Sequence, residues 1–443
     1  MSPAQISHWT QAAANAAGIR PFRAWRAAVV LLGLGALVAL MPRAQETGSA
    51  EVLQALAEQQ VIVTQNLDGG YELDYSDAPG GTFEQMRARL DALTPIMRLK
   101  LANDDVVKHL DLDGLTQLQH LELANNAALR SINGLEDLRR LQTLVIYNND
   151  RLKDEIVPFE GLAELQTLEV VGNYRLRQLP DLSSLARLRD LEIVGNERLE
   201  AIAGLEGLQA LEQLEVRGNG RLAELAMHGA LVKLQSLAVY RNPELEVVSG
   251  LDGSRELERL VVYDNDDLTA MPELDQLVRL RSLEVSNNSE LGSVTGLENL
   301  GQLERLVITD NGNLTSLSGL DGLASLRSLV IYGNDSLTSV FGLAGLHQLL
   351  LLVVWDNPVL SDIAGLEALP NLQRAAVAGA LVDEVIDAFQ HTPELQTLVL
   401  DDDPDTRRVG VALNEMRRNA GLAPVEISHS PPGSLAWWDA MRG

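Results

Sequence analysis

The chain has 443 residues, 46% of them hydrophobic and only 4% aromatic, and a formal net charge of -27. The apolar share is enough for a packed core, and an acidic excess of this size repels polyphosphate, which argues against a nucleic-acid partner for the main body. There is no cysteine, so disulfide staples, zinc–thiolate sites and thiol catalysis are excluded.

Residues Ala27 to Met41, AAVVLLGLGALVALM, are an unbroken apolar or glycine run. Arg20, Arg23 and Arg26 precede it, and no acidic residue occurs before Glu46. This is the charge asymmetry of a segment inserted with its amino end in the cytoplasm. As a helix the run spans about 22 Å against a bilayer core of about 30 Å, which suits a cleaved signal peptide. The long leader and the poor cleavage site at Pro42-Arg43-Ala44 suit an uncleaved anchor instead. The expectation is a cytoplasmic leader over 1–26 and a signal peptide or anchor over 27–44. The rest would then be exported: membrane-anchored outside the cytoplasm, or periplasmic or secreted after cleavage. Membrane contact is expected only through residues 27–41.

Residues 45–92 do not follow the later period and read as an N-terminal cap. Glu51 to Gln59 suggest a short helix, and Val61 to Ser76 a β-hairpin around Asp68-Gly69-Gly70. Thr82, with Gln85 three positions on, predicts a capping box opening a helix to Leu93.

A repeat then takes over. Asn126, Asn149, Asn173, Asn196, Asn219, Asn242, Asn265, Asn288, Asn311, Asn334 and Asn357 fall 23 residues apart, with one step of 24. Before each runs a common pattern, as in LQTLVIYNN from Leu141 and LERLVVYDN from Leu257. After each comes N-x-x-L and often Gly-Leu, as in NSELGSVTGLENL from Asn288. Alternation of Leu with Val or Ile marks a short strand with one face buried. One unit cannot bury its own leucines, so neighbours must stack into one continuous core. The recurring Asn carries both donor and acceptor, which suits it to satisfy backbone groups where each strand bends away. Stacked, these residues would form a ladder.

These residues resemble the leucine-rich-repeat superfamily, whose pattern is LxxLxLxxN, and most nearly its bacterial, internalin-like class with a GLxxLxxL return. The resemblance covers about Leu93 to Asp403. The chain departs from that class in its N-x-x-L and its 23-residue period, where 22 is usual, so it reads as a 23-residue variant. The resemblance implies an α/β leucine-rich-repeat solenoid with a parallel sheet on its concave side, over residues 93–403. Non-repeat segments would cap both ends.

Towards the end the pattern decays. The Asn slot holds Asp104 at the start, then Ala380 and Asp403 at the finish. Leu381 to Gln390 and Asp405 to Asn419 look helical, and PVEIS from Pro424 looks like a last strand. Residues 404–443 form the expected C-terminal cap, with Trp437 and Trp438 sealing the end of the core. The segment KDEIVPFEGL after Asn149 replaces the usual return and should alter one loop on the far side.

Catalysis finds little support. The seven histidines fall at different points of the repeat, and no HExxH, GxSxG or GxxxxGK[ST] motif occurs. The acidic runs Asp401–Asp405 and Asp264–Asp267 lack the spacing and glycine of an EF-hand loop and read as solvated turns. No catalytic residue, metal site or cofactor is expected.

The strand positions that face away from the leucines say more. In LxxLxLxxN, residues four and six point inward, so five and seven point out. Position seven holds Tyr147, Arg217, Tyr240, Tyr263, Tyr332 and Trp355, with Arg241 beside Tyr240. Tyr240 with Tyr263, and Tyr332 with Trp355, come from consecutive units and should touch. Exposed aromatics rimmed by Arg and Asp have the composition of a protein-binding hot spot. The plainer alternative is that aromatics suit strands and stabilise cross-strand neighbours. Glu122, Glu169, Glu192 and Glu215 occupy position five in earlier units and should make that half acidic. Two functions follow as expectations: a non-catalytic module that recognises a protein, or a glycan, on the concave face, or an envelope scaffold without a specific pocket.

Overall fold

The computed structural model describes residues 47–153, 156, 158–229, 231–378, 387–400 and 404–429. The leader, the apolar run 27–41, residues 381–386, Asp401 to Asp403 and the segment with Trp437 and Trp438 lie outside the described residues. The chain divides into two compact units, Met1–Glu51 and Val52–Gly443. All the repeats belong to the second.

Among the described residues the main sheet has seventeen strands. The hairpin predicted near Gly69 and Gly70 forms, with Ile62–Gln65 antiparallel to Tyr71–Asp74. Tyr71–Asp74 then pairs in parallel with Ile96–Ala102, so the hairpin extends the repeat sheet. From there to Glu426–Ser428 each strand pairs in parallel with the strand of the next unit, one residue against one. The 24-residue step leaves this register intact: Thr143–Tyr147 pairs evenly with Thr167–Val171.

Side-chain alternation builds the core. Positions four and six, such as Leu144 and Ile146 or Leu260 and Val262, are fully buried in one continuous leucine-rich cluster. On the return, a glycine in the left-handed region starts a single 3-10 turn, as at Gly319 (φ 80°) before Leu320–Gly322. Gly322 packs so tightly on the preceding unit that a Cβ there would overlap the Glu298 carbonyl oxygen. Leu320 and Leu323 drop into the core behind it.

The asparagine ladder is present. Asn149 to Asn334 are fully buried, with Asn126 nearly so. Asn242 is representative: its Nδ2 donates to the carbonyls of Val216 (3.1 Å) and Tyr240 (3.2 Å). Its Oδ1 accepts the Asn219 backbone N–H at 3.0 Å. Each side chain thus satisfies carbonyls at the strand end and an amide in the unit before, where the sheet has no ladder bond to offer.

Three local expectations need correction. The first helix starts earlier, spanning Thr47–Glu58. The capping box at Thr82 does not form. Gly81, in the left-handed region at φ 79°, is the residue before the short helix Thr82–Met86, and a 3-10 turn Arg87–Ala92 carries on to Leu93. The Thr82 hydroxyl donates to the Pro79 carbonyl instead (2.6 Å), and the Gly81 amide is taken by Asp104 Oδ2 (2.7 Å). At the far end the helix Pro404–Asn419 and the strand Glu426–Ser428 appear as read.

Candidate functional site

The side of the sheet away from the leucine core is its open face, and all the position-seven residues lie there. In strand order they run Tyr147, Val171, Val194, Arg217, Tyr240, Tyr263, Ser286, Thr309, Tyr332 and Trp355. The aromatic stripe is therefore not continuous. Tyr147 stands alone between Ala124 and Val171, and is 41% exposed. Ser286 and Thr309, joined by a 2.9 Å hydroxyl hydrogen bond, separate the remaining aromatics into two groups.

The first group is a stacked column. Strand neighbours lie about 4.8 Å apart, close to the thickness of a ring pair. The Tyr240 and Tyr263 rings stack with centroids 4.3 Å apart and planes 15° from parallel. On the other side of Tyr240, the Arg217 guanidinium sits 5.7 Å from the ring centroid, a cation–π arrangement. Arg217 Nε also lies 2.7 Å from Glu215 Oε1, and Nη2 lies 4.0 Å from Glu192. The Tyr240 hydroxyl donates to Glu215 Oε1 at 2.6 Å. Burial, then that bond to a carboxylate, raises the Tyr240 phenol well above its ordinary value. Burial likewise pushes Tyr263 up to about 12.

The second group is apolar. Tyr332 and Trp355 are register partners, as expected, within a cluster of Val307, Val330, Val353, Ala376 and Val399 on the same face. The expectation that the aromatics are freely exposed is corrected here: Tyr263 and Trp355 each keep only 7% of their surface open to water. The Tyr240 ring stacks on Tyr263, and Tyr332 packs against the cluster that holds Trp355, contacts that no single repeat reveals.

Arg241 carries a feature that sequence reasoning missed. The residue before each ladder Asn takes a positive φ, and elsewhere it is Gly, Asn or Asp, as at Asn148, Gly195 and Asp264. Arg241 holds φ 57° with a side chain unsuited to it, at a cost of about 1 kcal/mol. Its Nε donates to Asp264 Oδ2 at 3.2 Å. The recurrent Gly, Asn and Asp at this slot were the available signal.

The acidic half is present too. Glu169, Glu192 and Glu215 are direct register partners on successive strands, while Glu122 is set apart by Val145 and faces Lys100 Nζ at 3.3 Å. Burial, then the charges of Glu215 and Glu169, pushes Glu192 up to about 7, with Arg217 acting against them. The folded state therefore holds a proton that the unfolded chain releases near the ordinary value of 4.5. The associated stability is complete below that value and is lost as pH rises through about 7. Glu192→Gln removes the repulsion, so its stability relative to wild type should rise between pH 5 and pH 8. The Glu192 side chain is 37% exposed, so solvent screening limits the gain to about 1 kcal/mol. Urea unfolding at the two pH values measures it; equal offsets would contradict the ladder's mutual repulsion.

Among the described residues the histidines stay dispersed, as with His109, whose Nδ1 lies 2.8 Å from the Ser131 hydroxyl. Among the described residues no group of three His, Asp or Glu side chains could hold a metal ion. No described helix is long and apolar enough to cross a membrane.

No protein-family model and no curated protein matches the sequence. Solved structures do. An internalin from Listeria monocytogenes is similar at 19% identity and TM-score 0.48, covering 87% of this chain and 96% of its own. A leucine-rich-repeat protein from Leptospira interrogans is similar at 18% and 0.47, covering 77% and 91%. Toll, in the Drosophila Toll–Spätzle complex, gives 20% and 0.52, covering 81% of this chain and 50% of its own. With a 23-residue unit, an unbroken parallel register and a buried asparagine ladder, this chain has the fold of the leucine-rich-repeat proteins.

Proposed function

We propose that this protein is a non-catalytic binding module that recognises a protein partner across the open face of its sheet. The observation that carries this reading is the column Arg217–Tyr240–Tyr263, stacked on strands that pair residue for residue. Aromatic and arginine side chains fixed before contact lose little entropy on binding, which is why they dominate interface energetics. The strained Arg241 beside them supports the same place, because a conformation that costs stability persists where it serves a purpose. The adjoining Glu169–Glu192–Glu215 ladder favours a basic or amine-bearing surface on the partner. Toll, in its complex with Spätzle, is a protein of this fold engaged with a partner.

The same proposal puts the repeats outside the cytoplasm, since Arg20, Arg23 and Arg26 flank the amino end of the apolar run 27–41. The mass of the protein recovered from a membrane fraction decides whether that run is cut.

A second reading, a scaffold whose aromatics only brace the sheet, draws on the shielding of Tyr263 and Trp355. One experiment separates the two. Tyr240→Ala combined with Tyr263→Ala is tested for stability and for capture of partners from envelope and host material. Lost capture by a folded variant is the expected result. Unchanged capture with lowered stability would favour the scaffold.

A further inference from the structure

Three carboxylates and one cation share a small area of the open face. Glu169, Glu192 and Glu215 are direct register partners on successive strands, so they stand in a row about 4.8 Å apart. Arg217 is the cation among them. Its own register partners are Val194 on one side and Tyr240 on the other, so Glu192 and the Tyr240 ring lie on opposite sides of its strand. Its Nε lies 2.7 Å from Glu215 Oε1 and its Cζ 5.7 Å from the Tyr240 ring centroid, while Nη2 lies 4.0 Å from Glu192 Oε1. The Nε atom is shielded from water, yet its hydrogen is aimed at no acceptor among the described residues. The guanidinium therefore touches Glu215 without being locked to it. The other charges that face Glu192 are carboxylates: Glu169 and Glu215 beside it, and Asp190 on its own strand. Arg189, at the start of that strand, turns to Glu212 at 3.7 Å.

We propose that Arg217 is a pH-driven latch on this face. While Glu192 carries a proton, the guanidinium stays on Glu215 and against the Tyr240 ring. Once Glu192 gives the proton up, the guanidinium crosses to bridge Glu192 and Glu215 and leaves the ring. The distances make the two positions exclusive. A charge-assisted N–H···O bond is about 2.8 Å long, so an ionised Glu192 draws Nη2 in by about 1 Å. That movement is directed away from Tyr240. A cation holds a ring only within about 6 Å of its centroid, so the contact at 5.7 Å is given up. The tyrosines stay in place in both states, because Tyr240 keeps its 2.6 Å bond to Glu215 and its 4.3 Å stack on Tyr263. Burial and the two flanking carboxylates bring the Glu192 transition up to about 7, so the latch is closed below neutral pH and open above it. Its bearing on binding rests on the function proposed above. Opening bares one face of Tyr240 and leaves the ladder one charge more negative, which together favour a lysine or arginine of the partner at that place.

The latch is read in the full chain with no partner present, so it and the binding role can fail separately. The seven tyrosines, isotope-labelled on their rings, give a small NMR spectrum in which Tyr240→Phe identifies the Tyr240 signal. In a titration from acid to alkaline pH that signal should shift with a midpoint of about 7. Glu192→Gln keeps the shape but cannot ionise, so it should abolish the shift and leave Tyr240 at its low-pH position throughout. Arg217→Gln should abolish the shift as well, although Glu192 can still ionise, because the guanidinium is what moves. A Tyr240 signal that holds still in the unaltered protein overturns the proposal. So does a shift that survives Arg217→Gln, since the ring would then be sensing the Glu192 charge directly. A shift that survives Glu192→Gln overturns it equally, because another group would be titrating.

Discussion

Asn242→Ala is expected to lower the stability of the array by roughly 4 kcal/mol, although it removes one small polar side chain. The reason lies in what it leaves behind. The Val216 carbonyl loses its Nδ2 donor and the Asn219 amide loses its Oδ1 acceptor, both where water does not enter. Each buried group left without a partner costs about 1–3 kcal/mol, and the vacated volume adds to that. Asn313→Ala is the control. Its side chain is exposed and bonds only Glu290, so the change should be within about 0.5 kcal/mol. Urea unfolding followed by circular dichroism compares them. Similar midpoints for both variants would mean that the ladder does not hold the units together.

Arg417→Leu is expected to release the C-terminal cap while sparing the central repeats. The Arg417 side chain is fully buried among carbonyls. Nη1 donates to Phe389 and Thr392 at 2.7 Å each, and Nε donates to Ala423 at 3.0 Å. One planar guanidinium thus ties the helix Pro404–Asn419 to the turn before Thr397–Val399 and to the chain leading into Glu426–Ser428. Leucine fills much of the volume but leaves these carbonyls unanswered, a loss of about 3 kcal/mol or more. Arg417→Lys retains a donor without the fork and should fall between. Amide exchange should accelerate across residues 387–429 and stay unchanged in Gln213–Arg217, because a solenoid unit depends on its neighbours rather than on the whole. Uniform acceleration along the chain would contradict that independence.

The fold was legible because one unit repeats. Eleven asparagines at even spacing outweigh any single ambiguous stretch, and each Leu-x-Val or Leu-x-Ile alternation fixes which side is buried. The N-terminal segment was legible only in outline, since no repetition corrects a local misreading. The Thr82 box failed because Gly81 holds the N-cap place and both the hydroxyl and the amide of Thr82 donate to the Pro79 carbonyl. The open face was legible as a list of residues but not as a surface. Nothing within one repeat says that Tyr263 lies against Tyr240, or that Ser286 and Thr309 break the stripe. Those facts come from what the adjacent strand carries. Arg241 is the converse case: a slot whose geometry the neighbouring Gly, Asn and Asp residues announce, occupied by a residue they do not predict.

The central claim is that a partner meets the open face beside Tyr240 and Tyr263. A photo-reactive residue placed at Ala238, on the strand that carries Tyr240, and separately at Val232 on the return segment, tests it in the protein's own cellular setting. Val232 is the more exposed of the two, at 48%, so chance collisions favour it. A discrete crosslinked species from position 238, absent from position 232 and lost with Tyr240→Ala and Tyr263→Ala, is the predicted result. Crosslinking from position 232 alone would put the partner on the opposite side of the solenoid and contradict the account.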